Sequence, residues 1–389
     1  MKRLKDLIRD MDKPLLWVTV LLFIFGLLNI VTASSKAVVL RYNTPLYNYF
    51  FKQLAPLLVG IVVTVIVIQI PTRKYRFWGA LGFFAISGAL AYLSLYGTFH
   101  KGSKNWIAIP GFGTFQPSEF AKPVMIVCLA LLFELFYKKL RTKGVNHYDM
   151  IAVILFVGCV FPAIVFFQKD LGTMIILFTI FASMFFVSPI LKVEKLKTIG
   201  IGALLVFCAA CIIIGKTGSL LTASQLSRFD FFDPCADYEN GGYQICNGFI
   251  AINDGSLLGV GIGNSKQVSY IPESHTDSVF AIVAEEYGFL FSTVIFFAYL
   301  FVLKRITSLA TKANTLRGKY ICFGVAIYIF LHILVNLGGL FGVMPLTGVP
   351  LPFLSYGGSF TLSLILALAM VQRVHIETKN QKIKIASSY

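Results

Sequence analysis

Long apolar runs separated by short polar stretches divide most of the chain. A helix needs roughly 17–25 residues to cross a hydrocarbon layer of about 30 Å. Ten runs reach that length, at approximately 14–33, 49–71, 78–97, 118–137, 150–168, 171–188, 198–215, 278–302, 320–343 and 352–372. Lipid offers the peptide groups no hydrogen-bond partner, so each run is predicted to be a helix that satisfies its own backbone. The expected fold is therefore all-α: an integral membrane protein of about ten transmembrane helices, with residues 1–389 forming one polytopic domain. The first run follows a basic start, but it is too long for a signal-peptide core and reads as a retained span.

One polar stretch breaks the rhythm. Residues 216–277 form a large loop between spans seven and eight. Long loops of this kind commonly carry function. Within it, 243–258 (YQICNGFIAINDGSLL) reads as a short amphipathic or re-entrant piece lying on the bundle. The inverted repeat of a two-halved transporter is not visible.

Composition supports this reading. Hydrophobic residues make up 57% of the chain and charged residues 13%, against about 25% charged in soluble domains. A net charge of +16 by itself invites a nucleic-acid partner, but its distribution excludes that. With the N-terminus in the cytoplasm, the cytoplasmic parts are 1–13, 72–77, 138–149, 189–197, 303–319 and 373–389, and they hold 24 of the 34 Lys and Arg. This is the positive-inside pattern. It places both termini in the cytoplasm and 216–277 outside, and it brings the basic loops to anionic membrane lipid.

Charge inside a span is costly and points to function. The fourth span opens QPSEFAK, in which Glu119 and Lys122 share a helix face at i,i+3. Glu119 suits the positive end of a helix, whereas Lys122 has the wrong sign for it. Upstream, Lys104 is suited to a phosphate and Trp106 to a membrane interface. Asp170 is placed to cap the helix of span six. Asp277 stands where the large loop re-enters the membrane, either as a helix cap or as a carboxyl whose raised pKa suits a general base. Glu285 and Glu286 follow in the same span, and at least one must face the interior. Gly259-Val260-Gly261-Ile262-Gly263-Asn264 looks like a phosphate loop but has no βαβ setting, so its glycines read as turn-makers. Cys128, Cys159, Cys208, Cys211 and Cys322 lie in apolar runs, whereas Cys235 and Cys246 share the large loop, where a disulfide is open to them on an oxidising side.

The stretches GSKNWI, FQPSEFAK, QKDLGT, GYQ, GVGIGNS, PESHTDSVFAIVAEE, NLGG and PLTGVPLPFLSYGG, in this order, resemble the SEDS family of bacterial shape, elongation, division and sporulation proteins, which includes FtsW and RodA. The Ala-Glu-Glu run at 284–286 and the first outer loop look more like FtsW. Three positions depart from the family pattern: Lys104 stands for a usual Arg, Gln168-Lys169-Asp170 for Gln-Pro-Asp, and Asn247-Gly248 for a common Gln-Ser.

The resemblance implies a peptidoglycan glycosyltransferase in the bacterial cytoplasmic membrane, acting on lipid II. It also implies a class B penicillin-binding protein transpeptidase as partner, among divisome or elongasome proteins. Joining an α-linked diphosphate sugar into a β-1,4 strand inverts the anomeric carbon in one displacement. That requires a base, expected at Asp277, and positive charge for the leaving diphosphate, expected first at Lys122, then at Lys104 and Arg228. Further substrate contacts are expected from Glu119, Trp106, Gln116, Asp170, His275, Glu286 and Ser355. A divalent cation, Mg²⁺ or Mn²⁺, would suit the diphosphate, though no metal-ligand spacing demands one. The rival readings are a lipid II flippase, which would need paths open to either side, and a scaffold without chemistry.

Overall fold

The computed structural model describes residues 2–36, 47–97, 105–109, 113–140, 148–200, 202, 234–236 and 242–386. Residues 201 and 203–215 of the expected seventh span, and residues 216–233 and 237–241 of the large loop, lie outside the described residues. Eight described helices are long and apolar enough to cross a membrane, and a shorter apolar one accompanies them. In chain order the helices are α1 (Lys2–Arg9), α2 (Lys13–Lys36), α3 (Asn48–Gln69), α4 (Tyr75–Tyr96), α5 (Pro117–Leu140), α6 (Tyr148–Phe167) and α7 (Leu171–Val187). Within the large loop lies α8 (Tyr243–Gly255), and after it come α9 (Val279–Lys312), α10 (Leu316–Leu340) and α11 (Gly358–Ala386).

The helices divide by burial. Of the most apolar stretch, 67% is buried in α10 and 72% in α11, but only 22% in α3 and α4. Apolar side chains gain nothing by leaving lipid for protein, so a membrane bundle does not need to cover its outer helices. Phe51, Leu58, Ile61, Val62 and Ile66 on α3, and Phe77, Leu81, Phe84 and Leu95 on α4, are accordingly exposed. The centre is α5, α10 and α11, with α7 against α10 and α3 along α11.

Two features depart from the expected pattern. The stretch before α5 forms a small antiparallel hairpin, β1 (Ile107–Ile109) and β2 (Gly113–Phe115), with Ala108 opposite Thr114. Its strands are three residues each, too short for alternation to be read from sequence. The last span begins at Gly358 and not near residue 352, because Leu351 to Ser355 turn back on themselves through the Ser355 N–H to the Leu351 carbonyl, 3.1 Å.

α9 is broken at Gly288, which adopts φ 77° and ψ 179°. The loop after α8 inserts there: the N–H groups of Val260 and Gly261 donate to the carbonyls of Glu285 and Glu286, at 2.9 and 3.1 Å, and that of Phe289 to Ser256, at 2.9 Å. A Cβ on Gly288 would stand 2.3 Å from the Gly259 nitrogen, so the two backbones approach only because both are glycine. Gly259, Gly261 and Gly263 all have positive φ; the motif is a set of turns.

The basic end of the bundle is locked by ion pairs. Arg305 on α9 grips Asp12 at 2.7 Å, Arg317 reaches Glu134 at 3.0 Å, and Arg373 pairs with Glu377 at 3.1 Å. Gln372 accepts from the Asp12 N–H at 2.7 Å, so α11 and α9 both close on the start of α2.

Candidate active site

Asp277 lies at the opposite sequence end of α9 from Arg305, in the turn that precedes the helix. The helix cap is Ser278, not Asp277, so the carboxylate is not committed to capping. Three elements hold the backbone around it. Asn336 on α10 donates from Nδ2 to the Asp277 carbonyl at 2.7 Å and to the Val349 carbonyl at 2.8 Å. Ser355 donates to the Thr276 carbonyl, and the Tyr356 N–H to the His275 carbonyl at 2.9 Å. Ser274 donates to the Ala33 carbonyl on α2 at 2.7 Å.

The carboxyl itself has neutral donors. Oδ1 accepts from Gln244 Nε2 on α8 and from Thr276 Oγ1, both at 3.2 Å. Gly348, at φ 70°, leaves room on the other side: a Cβ there would stand 3.8 Å from Oδ2. Burial pushes the Asp277 carboxyl above the usual carboxylate range, and Glu273 adds to this, while the hydrogen bonds from Thr276 and Gln244 oppose it. Asp277 keeps part of its surface open.

Lys122 occupies a different place from the one expected. It is fully buried, with Nζ 2.8 Å from both Glu119 oxygens and 3.0 Å from His332 Nε2. An ammonium has three N–H groups, and here there are three acceptors. His332 Nδ1 lies 3.1 Å from the Pro350 carbonyl. A carbonyl only accepts, so Nδ1 carries the proton and Nε2 accepts from Lys122. The tyrosine ring of Tyr328 and the ring of Phe360 flank the ammonium at 5.6 and 5.9 Å. In this structure Lys122 is the enclosed counter-ion of Glu119, not an open diphosphate ligand. Its position one turn into the helix was readable, but the imidazole that closes it off comes from 210 residues away.

The other expected residues separate into groups. Asp170 caps α7, accepting from the Thr173 N–H at 3.1 Å, and also takes Asn105 Nδ2 at 2.7 Å and Gln116 Nε2 at 3.5 Å. This pins the half-buried Trp106, at the foot of the hairpin, beside the start of α5. The preceding Lys169 has φ 63°, a conformation closed to the proline that the family pattern places there. His275 is buried with its ring centroid 4.4 Å from Tyr49 and 5.5 Å from Tyr356. Ser355 shapes the turn beneath Asp277. Glu286 does not reach this centre: its carboxylate accepts from Thr32 Oγ1 at 2.9 Å and the Gly263 N–H at 3.1 Å. Glu285 likewise accepts from Ser265 and the Lys266 N–H. Both anchor the loop that fills the break in α9. Lys104 and Arg228 lie outside the described residues. A disulfide joins Cys235 to Cys246.

Five further residues complete the centre: Gln244, Thr276, Asn336 and Gly348, which lie within the quoted motif stretches without having been assigned a role, and His332, which lies outside them. His332 and Asn336 carried a signal, since polar side chains at i,i+4 in an apolar span are expensive unless they face partners. Among the described residues no group of three or more His, Cys, Asp or Glu side chains converges on a point where a metal ion would be held.

Fold and site define a polytopic all-α membrane protein with a polar centre at one end of its bundle, built from a carboxyl on a re-entering loop. The chain belongs to the FtsW/RodA/SpoVE family: the family profile described as "Cell cycle protein" matches residues 13–380. It is 30% identical to the probable peptidoglycan glycosyltransferase FtsW of Haemophilus influenzae over 95% of this chain and 91% of that one. It is 32% identical to the protein of the same name from Marinomonas mediterranea, over 97% and 94%. A chain of the solved structure described as "Structural coordination of polymerization and crosslinking by a peptidoglycan synthase complex" superposes with a TM-score of 0.71 at 22% identity, covering 95% of this chain and 98% of that one. The Thermus thermophilus rod shape determining protein RodA superposes at 0.66 and 21%, covering 95% and 97%. At those identities the two structures establish the shared fold.

Proposed function

We propose that this chain is a peptidoglycan glycosyltransferase that polymerises lipid II into β-1,4 glycan at the outer face of the cytoplasmic membrane, with both termini inside. The names carried by its FtsW relatives support this. The observation that carries the chemistry is the Asp277 carboxyl, freed from capping, partly open, and held by neutral donors with its affinity for protons increased. It takes the proton from the acceptor sugar's 4-hydroxyl. That oxygen attacks the anomeric carbon of the donor from the face opposite the diphosphate. The carbon–oxygen bond to phosphate breaks, its electron pair leaves with the undecaprenyl diphosphate, and the new linkage is β. Positioned proton transfer of this kind contributes about 10²–10⁴-fold.

Lys122 supports the reaction from behind, fixing α5 to α10 and thereby the Asn336 grip on Asp277. Positive charge for the leaving diphosphate is expected from Lys104 and Arg228, and no step is routed through a divalent cation. The strand is cross-linked by a class B penicillin-binding protein within the divisome or elongasome; the solved synthase complex of similar fold supports a partner of that kind.

The test is glycan synthesis from lipid II by the purified chain with its transpeptidase partner in lipid nanodiscs. Asp277→Asn is expected to lose product by at least about 100-fold with a melting temperature no lower than that of the unaltered protein. Full activity in that variant overturns the assignment of the base. Translocation of lipid II without polymer from the unaltered protein overturns the enzyme.

A further inference from the structure

α8 presents Gln244 to Asp277 from its first turn, the part of a helix that frays most readily. The N-cap residue of that turn is Gly242, which has no side chain to cap it. The helix has 13 residues, a length that is marginal without outside support. Cys246 lies two residues beyond Gln244, about 200° round the helix, and is buried. Its sulfur is bonded to Cys235, 11 residues earlier, which is exposed. The turn is thus held on one side by the hydrogen bonds of Gln244 to Asp277 and Ser278, at 3.2 and 2.9 Å, and on the other by a covalent bond.

We infer that the Cys235–Cys246 disulfide is a positioning element of the catalytic centre, fastening the first turn of α8 so that Gln244 stays on the Asp277 carboxylate. This rests on the reading of Asp277 as the base. Forming the bond removes two protons and two electrons from the two thiols; the acceptor is a disulfide-bearing oxidant of the outer compartment, which leaves as a dithiol. Polymerisation therefore depends on thiol oxidation outside the membrane.

The consequence is specific because of what surrounds Asp277. α8 offers Gln244, α9 Ser278, α10 Asn336, and the turn before α11 Gly348 and Ser355, all uncharged. Among the described residues the charged or titratable neighbours are Glu273 and His275, on its own loop. A Gln N–H favours the ionised carboxylate, so its loss raises the pH at which the base becomes available.

The experiment uses the full chain with its transpeptidase partner in nanodiscs, before and after reduction by a trialkyl phosphine, with mass spectrometry of the Cys235–Cys246 peptide to confirm opening. Amide exchange over 243–248 is expected to quicken at least about tenfold. The turnover number should fall about three- to tenfold with KM little changed, and the acid limb of the pH–rate profile should move up by about half a unit. Cys235→Ser should reproduce all three without reductant. In Gln244→Met the limb is already displaced, and reduction should add nothing. Opening of the bond with exchange and acid limb unmoved overturns the inference, as does a full response to reduction in Gln244→Met. If the unaltered protein makes no glycan, the polymerase reading falls, while the exchange measurement still decides whether the disulfide holds α8.

Discussion

His332 and Asn336 stand one turn apart on α10, and between them they join the two charged centres of the molecule: His332 accepts from the Lys122 ammonium at 3.0 Å, and Asn336 holds the Asp277 carbonyl at 2.7 Å. Lys122 and Asp277 have no direct contact. Both are tied to one face of a helix that is 67% buried over its apolar stretch. Pro350 and Val349, bonded to the same two side chains, bring the turn before α11 into the same unit.

That arrangement makes Asn336 a positioning residue. Asn336→Ala frees two buried carbonyls and should cost about 1–3 kcal/mol of stability. Glycan synthesis should fall further than stability does, since the Asp277 turn loses its grip on α10. Comparison of melting temperature with lipid II turnover checks this; parallel losses would make Asn336 a packing residue only.

The buried ion pair gives a second expectation. Glu119→Gln leaves Lys122 charged without a counter-ion, and Lys122→Met does the reverse. Each should cost about 3–5 kcal/mol, while the double variant recovers much of the loss. A double-mutant cycle on thermal unfolding in detergent measures the coupling.

The pH dependence follows from Asp277. Burial raises its carboxyl above the ordinary range, and a base works only when deprotonated. Activity should therefore rise with pH through a single limb placed above the usual carboxylate value of about 3.9. For stability the sign is opposite: a carboxyl with a raised folded-state pKa favours folding when protonated, so this group's ionisation weakens the fold as pH increases. The pH–rate profile of the unaltered enzyme checks the limb, and its loss of amplitude in Asp277→Asn assigns it.

At the basic end the sign reverses. Burial pushes the Asp12 carboxyl up, but the Arg305 hydrogen bonds, the Leu15 N–H and the Arg305 charge together hold it below the ordinary value. Its contribution is present above the unfolded value of about 3.9 and lost as pH falls through the lower folded one. Acid should loosen the α2–α9 contact first. Arg305→Met should lower stability by about 1–2 kcal/mol at neutral pH and abolish that acid-sensitive step in melting curves.

Much of this architecture was readable in advance. The positions of the eight spanning-length helices follow runs of apolar residues, because a helix in lipid needs only its own backbone bonds. The Glu119–Lys122 pair, the Asp170 cap and the turn-making glycines were equally local, each settled within a few residues. The hairpin and the late start of α11 were not, since three-residue strands and a turn held by Ser355 carry no periodic signal. Glu286 illustrates the limit of reasoning from burial alone: a carboxylate inside a span had to face protein, but whether it would meet substrate or a loop depended on where residues 259–268 run.

The sequence by itself determined that this chain lies in a membrane, where eight of its spanning-length helices run, and that Asp277 sits at a loop–helix junction. Those properties depend on hydrophobicity and length along continuous stretches. Tertiary structure alone decided which polar groups meet: Gln244 with Asp277 across 33 residues, Asn336 across 59, His332 with Lys122 across 210. In a bundle whose outer surface is as apolar as its core, side chains do not announce which helix they face, so packing chose the partners.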